Sequence, residues 1–75
     1  MLLKELLKQL RERLLLTQAE MASKLKISRA SVCHIEQGGK KVNFKIVRKI
    51  VDEAKKNGIE VEYKDIEVDH KWQMN

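Results

Sequence analysis

Leu3, Leu6, Leu7, Leu10 and Leu14 recur at three- and four-residue spacing, which predicts an amphipathic helix over residues 2–14. The pattern breaks near Leu15. Thr17 followed by Glu20 is a capping-box arrangement, and Leu16 and Met21 flank the cap at the spacing of a hydrophobic staple. Ala22 and Leu25 continue that stripe, so a second, short helix is expected over about 18–25. Ser28 opens a third helix, with Ile27 and Val32 at staple spacing, Val32 and Ile35 as its buried stripe, and Gln37-Gly38-Gly39 as its stop. Helices this short are marginal alone, so packing on the helices before and after them must hold them. Lys40-Lys41-Val42 leads to a fourth helix capped by Asn43, with Phe44, Val47, Ile50, Val51 and Ala54 inward. Asn57-Gly58 ends it, and Gly58 suits a left-handed C-terminal position.

The period then changes. Ile59, Val61 and Tyr63 alternate with Glu60, Glu62 and Lys64, and Ile66 and Val68 repeat the alternation after Lys64-Asp65. A period of two predicts a short C-terminal β-strand or hairpin. The chain therefore divides into a mostly α, four-helix domain over residues 1–57 and a strand-like tail over 58–75. Residues 73–75 are expected to fray, and Trp72 to pack on whichever structure the tail adopts.

With 75 residues the chain suits one small domain with a modest core, for which association would add useful burial. It carries a net charge of +5, unevenly placed. Residues 1–22 hold four Lys and Arg against three acids, residues 23–56 ten against three, and residues 57–75 two against five. The basic charge thus sits where the two short helices lie, as a nucleic-acid-binding element requires. No apolar run approaches the length of a membrane span. Lys4, Glu5 and Lys8 break up what would otherwise resemble a signal peptide. A single cysteine, Cys33, fits a reducing cytoplasm. Adjacent Cys33 and His34 diverge on a helix, and with only His70 besides they offer no zinc site. No catalytic constellation or phosphate loop is present, so the expectation is a non-enzyme without cofactors.

Two short helices joined across Lys26-Ile27-Ser28 form a helix-turn-helix arrangement over residues 17–37. The segment LTQAEMASKLKISRASVCHIEQGGK, residues 16–40, resembles the lambda-repressor-like (Xre/Cro) helix-turn-helix family, through Leu-Thr-Gln, Ala22, Ile27, Val32, Ile35, Glu36 and Gly38 at the family's spacing. The likeness covers residues 1 to about 56. Lys26 and Leu15 stand where the family usually has glycine, and the strand-like tail replaces the usual fifth helix.

With Val32 and Ile35 inward, a turn of about 100° per residue puts Ala30, His34 and Gln37 outward, Cys33 at the edge and Arg29 at the flank. The resemblance implies base contacts by Ser28, Arg29, Ala30 and His34 on a recognition helix over about 28–37. Arg29 suits guanine O6 and N7, and Ala30 a thymine methyl. It also implies a phosphate contact by Gln18, whose backbone amide lies at a positive helix terminus. Thr17, Ser31, Lys40, Lys41, Asn43 and Lys45 are further phosphate candidates, with capping the stronger reading for Thr17 and Asn43. Arg11 and Glu36 match a structural ion pair in the family. The alternation of Ile59, Val61, Tyr63, Ile66 and Val68 would leave an open strand edge, and pairing it with a second copy would make a homodimer whose recognition helices lie about 34 Å apart. A hairpin folded back on its own helices is the alternative. The expected function is sequence-specific, double-stranded DNA-binding transcriptional regulation, as a repressor. The alternative is a protein-interaction module such as an antitoxin or co-regulator, with a protein partner.

Overall fold

A computed structural model describes residues 1–38 and 42–66. Among them lie four helices, α1 (Leu3–Leu14), α2 (Gln18–Leu25), α3 (Arg29–Glu36) and α4 (Phe44–Lys56), followed by a single 3₁₀ turn, Tyr63–Asp65. The helix starts follow from local chemistry. Thr17 accepts from the Glu20 backbone N–H at 3.1 Å while its own N–H donates to Glu20 Oε1 at 2.9 Å, which completes the capping box. Ser28 accepts from the Ser31 N–H at 3.1 Å, and Asn43 Oδ1 from the Lys45 N–H at 2.7 Å.

The core is one cluster. Leu3, Leu6, Leu7 and Leu10 of α1 meet Met21, Ala22 and Leu25 of α2, Val32 and Ile35 of α3, and Val47, Ile50, Val51 and Ala54 of α4, all buried. Leu16 and Ile27, the first residues of the two staples, are half-buried against it. α3 packs on both α2 and α1, so its inner face is fixed and its outer face is left open.

The tail differs from its sequence pattern. Among the described residues no strand forms there. Ile59 to Glu62 belong to no helix or strand, Glu62 is extended, and the chain then tightens into the 3₁₀ turn. Ile59, Val61 and Ile66 are buried in the same core as the helices, and half-buried Tyr63 sets its ring 5.7 Å from that of Phe44. The Met1 ammonium donates to the Asp65 carbonyl at 2.8 Å, which ties the turn to the start of α1. Alternating apolar positions serve a single extended segment lying on helices as well as they serve a strand, and here the inward set completes the domain's own core. The side chains of Ile59, Val61 and Ile66 are thereby used within the chain. Val68, Trp72 and residues 73–75 lie outside the described residues.

The chain turns at two left-handed residues that are not glycine, Leu15 (φ 57°) and Lys26 (φ 59°), the two positions at which the resemblance noted above implies glycine. Each costs about 1 kcal/mol relative to glycine. Leu15 is 88% exposed, so it gives little burial in return. Leu15→Gly is expected to stabilise the fold by about 0.5–1 kcal/mol and to raise the melting temperature by a few degrees. A lower melting temperature would show that the turn is not strained.

Candidate nucleic-acid interface

The outer face of α3 begins at its cap. Ser28 is exposed, with its hydroxyl 2.9 Å from that of half-buried Ser31. Arg29, Ala30 and His34 are all exposed, and no hydrogen bond or ion pair ties the Arg29 or His34 side chain to another described residue. One turn on, exposed Gln37 donates from Nε2 to Cys33 Sγ at 3.3 Å. The surface of α3 therefore carries two unengaged hydrogen-bonding side chains, one small apolar residue between them, and two pairs already satisfied along the helix. Such a ridge, narrow and rich in free donors, suits the edges of bases in a major groove.

Behind this face lies a buried carboxylate. The Glu36 side chain is 4% exposed and accepts from Arg11 Nε at 2.8 Å, from Arg11 Nη2 at 3.3 Å and from Gln18 Nε2 at 2.9 Å. Arg11 Nη1 donates in turn to the Leu16 carbonyl at 3.1 Å. One guanidinium thus joins α1, the link before α2 and the last turn of α3. Burial works to raise the Glu36 pKa; the hydrogen bonds from Arg11 and Gln18, with the Arg11 and Lys8 charges, outweigh it, and the pKa lies below the ordinary 4.5. The hydrogen bond to Glu36 raises that of Arg11 against the effect of its own burial.

A carboxylate whose pKa is lowered by folding adds stability above its unfolded value and loses it as pH falls through the folded one. The fold should therefore weaken on acidification below about pH 4.5, and Glu36→Gln should flatten that part of the stability profile. An unchanged profile in the variant would remove Glu36 as the source.

The remaining candidates are dispersed. Thr17 and Asn43 are engaged as caps, and Lys45 is exposed beside Asn43 at the start of α4. The Gln18 side-chain amide is turned toward Glu36, an interhelical contact that sequence spacing does not reveal. Its backbone N–H, in the first turn of α2, is the group that helix geometry leaves without an intrahelical partner. Lys40 and Lys41 lie outside the described residues. The sequence pattern also left exposed Arg48 and Lys49 unremarked, and marked exposed Lys26 only for its backbone position. The spacing of Ile46, Lys49 and Glu53 puts the three on one flank of α4, but nothing in the sequence says which helix that flank meets. Among the described residues no three His, Cys, Asp or Glu side chains converge on a metal site, and no helix is long and apolar enough to cross a membrane.

A family model described as helix-turn-helix matches residues 7–56, two thirds of the chain. No curated protein and no solved structure matches. The matched segment runs from the middle of α1 to the end of α4 and contains Arg11, Gln18, Glu36 and the whole of α3.

Proposed function

Because the chain belongs to the lambda-repressor/Xre-like helix-turn-helix family, a family of DNA-binding regulators, we propose that it is a sequence-specific regulator of transcription, a repressor, that reads the major groove of double-stranded DNA with α3. The observation that carries this reading is the free outer face of a helix whose inner face is locked. Arg29, Ala30 and His34 are exposed on α3 while Val32, Ile35 and Glu36 are buried behind them. In this reading Arg29 grips guanine and His34 donates to a second base one turn further along. Ser28 contributes at the helix start from its capped position.

Backbone contacts position the protein. We assign them to the Gln18 N–H at the start of α2 and to Ser31, Lys45, Lys40 and Lys41, with Thr17 and Asn43 combining capping with phosphate contact. Two copies on a palindromic site would present their reading helices about 34 Å apart. Burial of Ile59, Val61 and Ile66 in the chain's own core favours a contact between copies elsewhere than along the tail.

Selection from a random duplex pool tests the proposal. Enrichment of a shared motif supports it, and a palindrome with half-sites one helical turn apart supports the homodimer. A pool that stays random, alongside co-purification of a stoichiometric protein partner, would favour an interaction module instead.

A further inference from the structure

Two lysines outside the reading face meet at the turn of the motif. Lys49 of α4 brings its Nζ to 3.4 Å from the carbonyl oxygen of Lys26, the left-handed residue between α2 and α3. Both residues are exposed, and neither has an acidic partner among the described residues. Lys24, two residues earlier, differs: its Nζ lies 3.5 Å from Glu53 Oε2. Of three lysines gathered around this turn, the fold therefore neutralises one and leaves two. The contact to the carbonyl brings the Lys49 ammonium to the residue that bears the second charge. Lys26 itself occupies a backbone conformation that glycine adopts more readily. Lys26 stands two residues before Ser28, the cap of α3, and so near the end of the reading helix that carries Arg29.

We propose that Lys26 and Lys49 together form a phosphate clamp that holds one backbone phosphate of the DNA where the strand passes the start of α3. The inference rests on the DNA-reading function proposed above and adds to it a contact supplied jointly by the turn and by α4. Two ammonium groups make charge-assisted hydrogen bonds to the non-bridging oxygens of a phosphate without regard to the base it carries. The clamp therefore sets affinity and orientation and leaves sequence choice to Arg29 and His34. A purely structural role for Lys49, as a partner for the last carbonyls of α2, differs in what it would change.

The test is a salt series of binding isotherms for the full chain on a labelled mixed-sequence duplex, read by fluorescence anisotropy. The double variant Lys26→Asn/Lys49→Gln is expected to lower the slope of log affinity against log salt by about 0.9, the value for one phosphate, each single variant to lower it by less than that, and Lys49→Arg to keep the parent slope. Asparagine is chosen at position 26 because it tolerates the left-handed conformation. Preference for a selected motif over the mixed duplex should stay at the parent level. A parent-like slope in the double variant, with or without a fall in melting temperature, would overturn the clamp and leave Lys49 as a helix cap. A parent chain that fails to bind the duplex at all would overturn the DNA reading itself, and the clamp with it.

Discussion

Arg11→Ala is expected to destabilise the fold by about 2–3 kcal/mol, although the residue touches neither the deepest core nor the reading face. Removing one partner of a fully buried ion pair costs about 3–5 kcal/mol because the other charge is left uncompensated. Here Glu36 is nearly sealed at 4% exposure, whereas Arg11 keeps 26%, which places the loss below that range. Gln18 would still donate to the carboxylate, which limits the loss further. For a domain this size the midpoint of thermal unfolding should fall by roughly 10–20 °C. Arg11→Lys should recover only part of it, since a single ammonium cannot reproduce the two parallel bonds to Glu36 and the third to Leu16. Replacing both residues by apolar ones of similar volume should cost less than Arg11→Ala alone. A loss under about 0.5 kcal/mol, of the size usual for an exposed pair, would show that the contact is not a structural anchor. The anchor matters for function because Glu36 closes α3, and freeing it would loosen the helix that presents Arg29.

Arg29→Ala should behave in the opposite way. The side chain is exposed and has no partner among the described residues, so folding stability should stay within about 0.5 kcal/mol of the parent. Affinity for the selected duplex should fall by about 5–150-fold, the equivalent of about 1–3 kcal/mol for a bidentate base contact, with discrimination relaxed at one guanine. Binding to mixed-sequence DNA should change far less. Equal losses on both duplexes would make Arg29 a phosphate contact instead of a reader.

The parts of this molecule visible in the sequence are those decided by a few neighbouring residues. The caps at Thr17, Ser28 and Asn43 depend on one side chain and a backbone amide two or three residues on, and the helices begin where those residues stand. The two left-handed turns fall at Leu15 and Lys26, the positions singled out by what the family places there. Inward and outward faces of α3 follow from helical period alone, because Val32 and Ile35 fix the orientation. The tail was less legible for the same kind of reason. Alternation reports that Ile59 and Val61 share a side, and it cannot report whether that side meets another strand or the ends of α1 and α4. The Gln18 contact to Glu36 and the approach of Lys49 to Lys26 join residues 18 and 23 positions apart. They depend on how helices cross, which no local pattern encodes.

The central claim is that α3 reads the major groove, and methylation interference on the selected duplex tests it most directly. Methyl groups on guanine N7 lie in the major groove, and those on adenine N3 lie in the minor groove. The account predicts that N7 methylation at a small cluster of guanines blocks binding by the parent chain, and that Arg29→Ala erases the interference at one of them. Interference confined to adenine N3, or an N7 pattern that Arg29→Ala leaves unchanged, would contradict it.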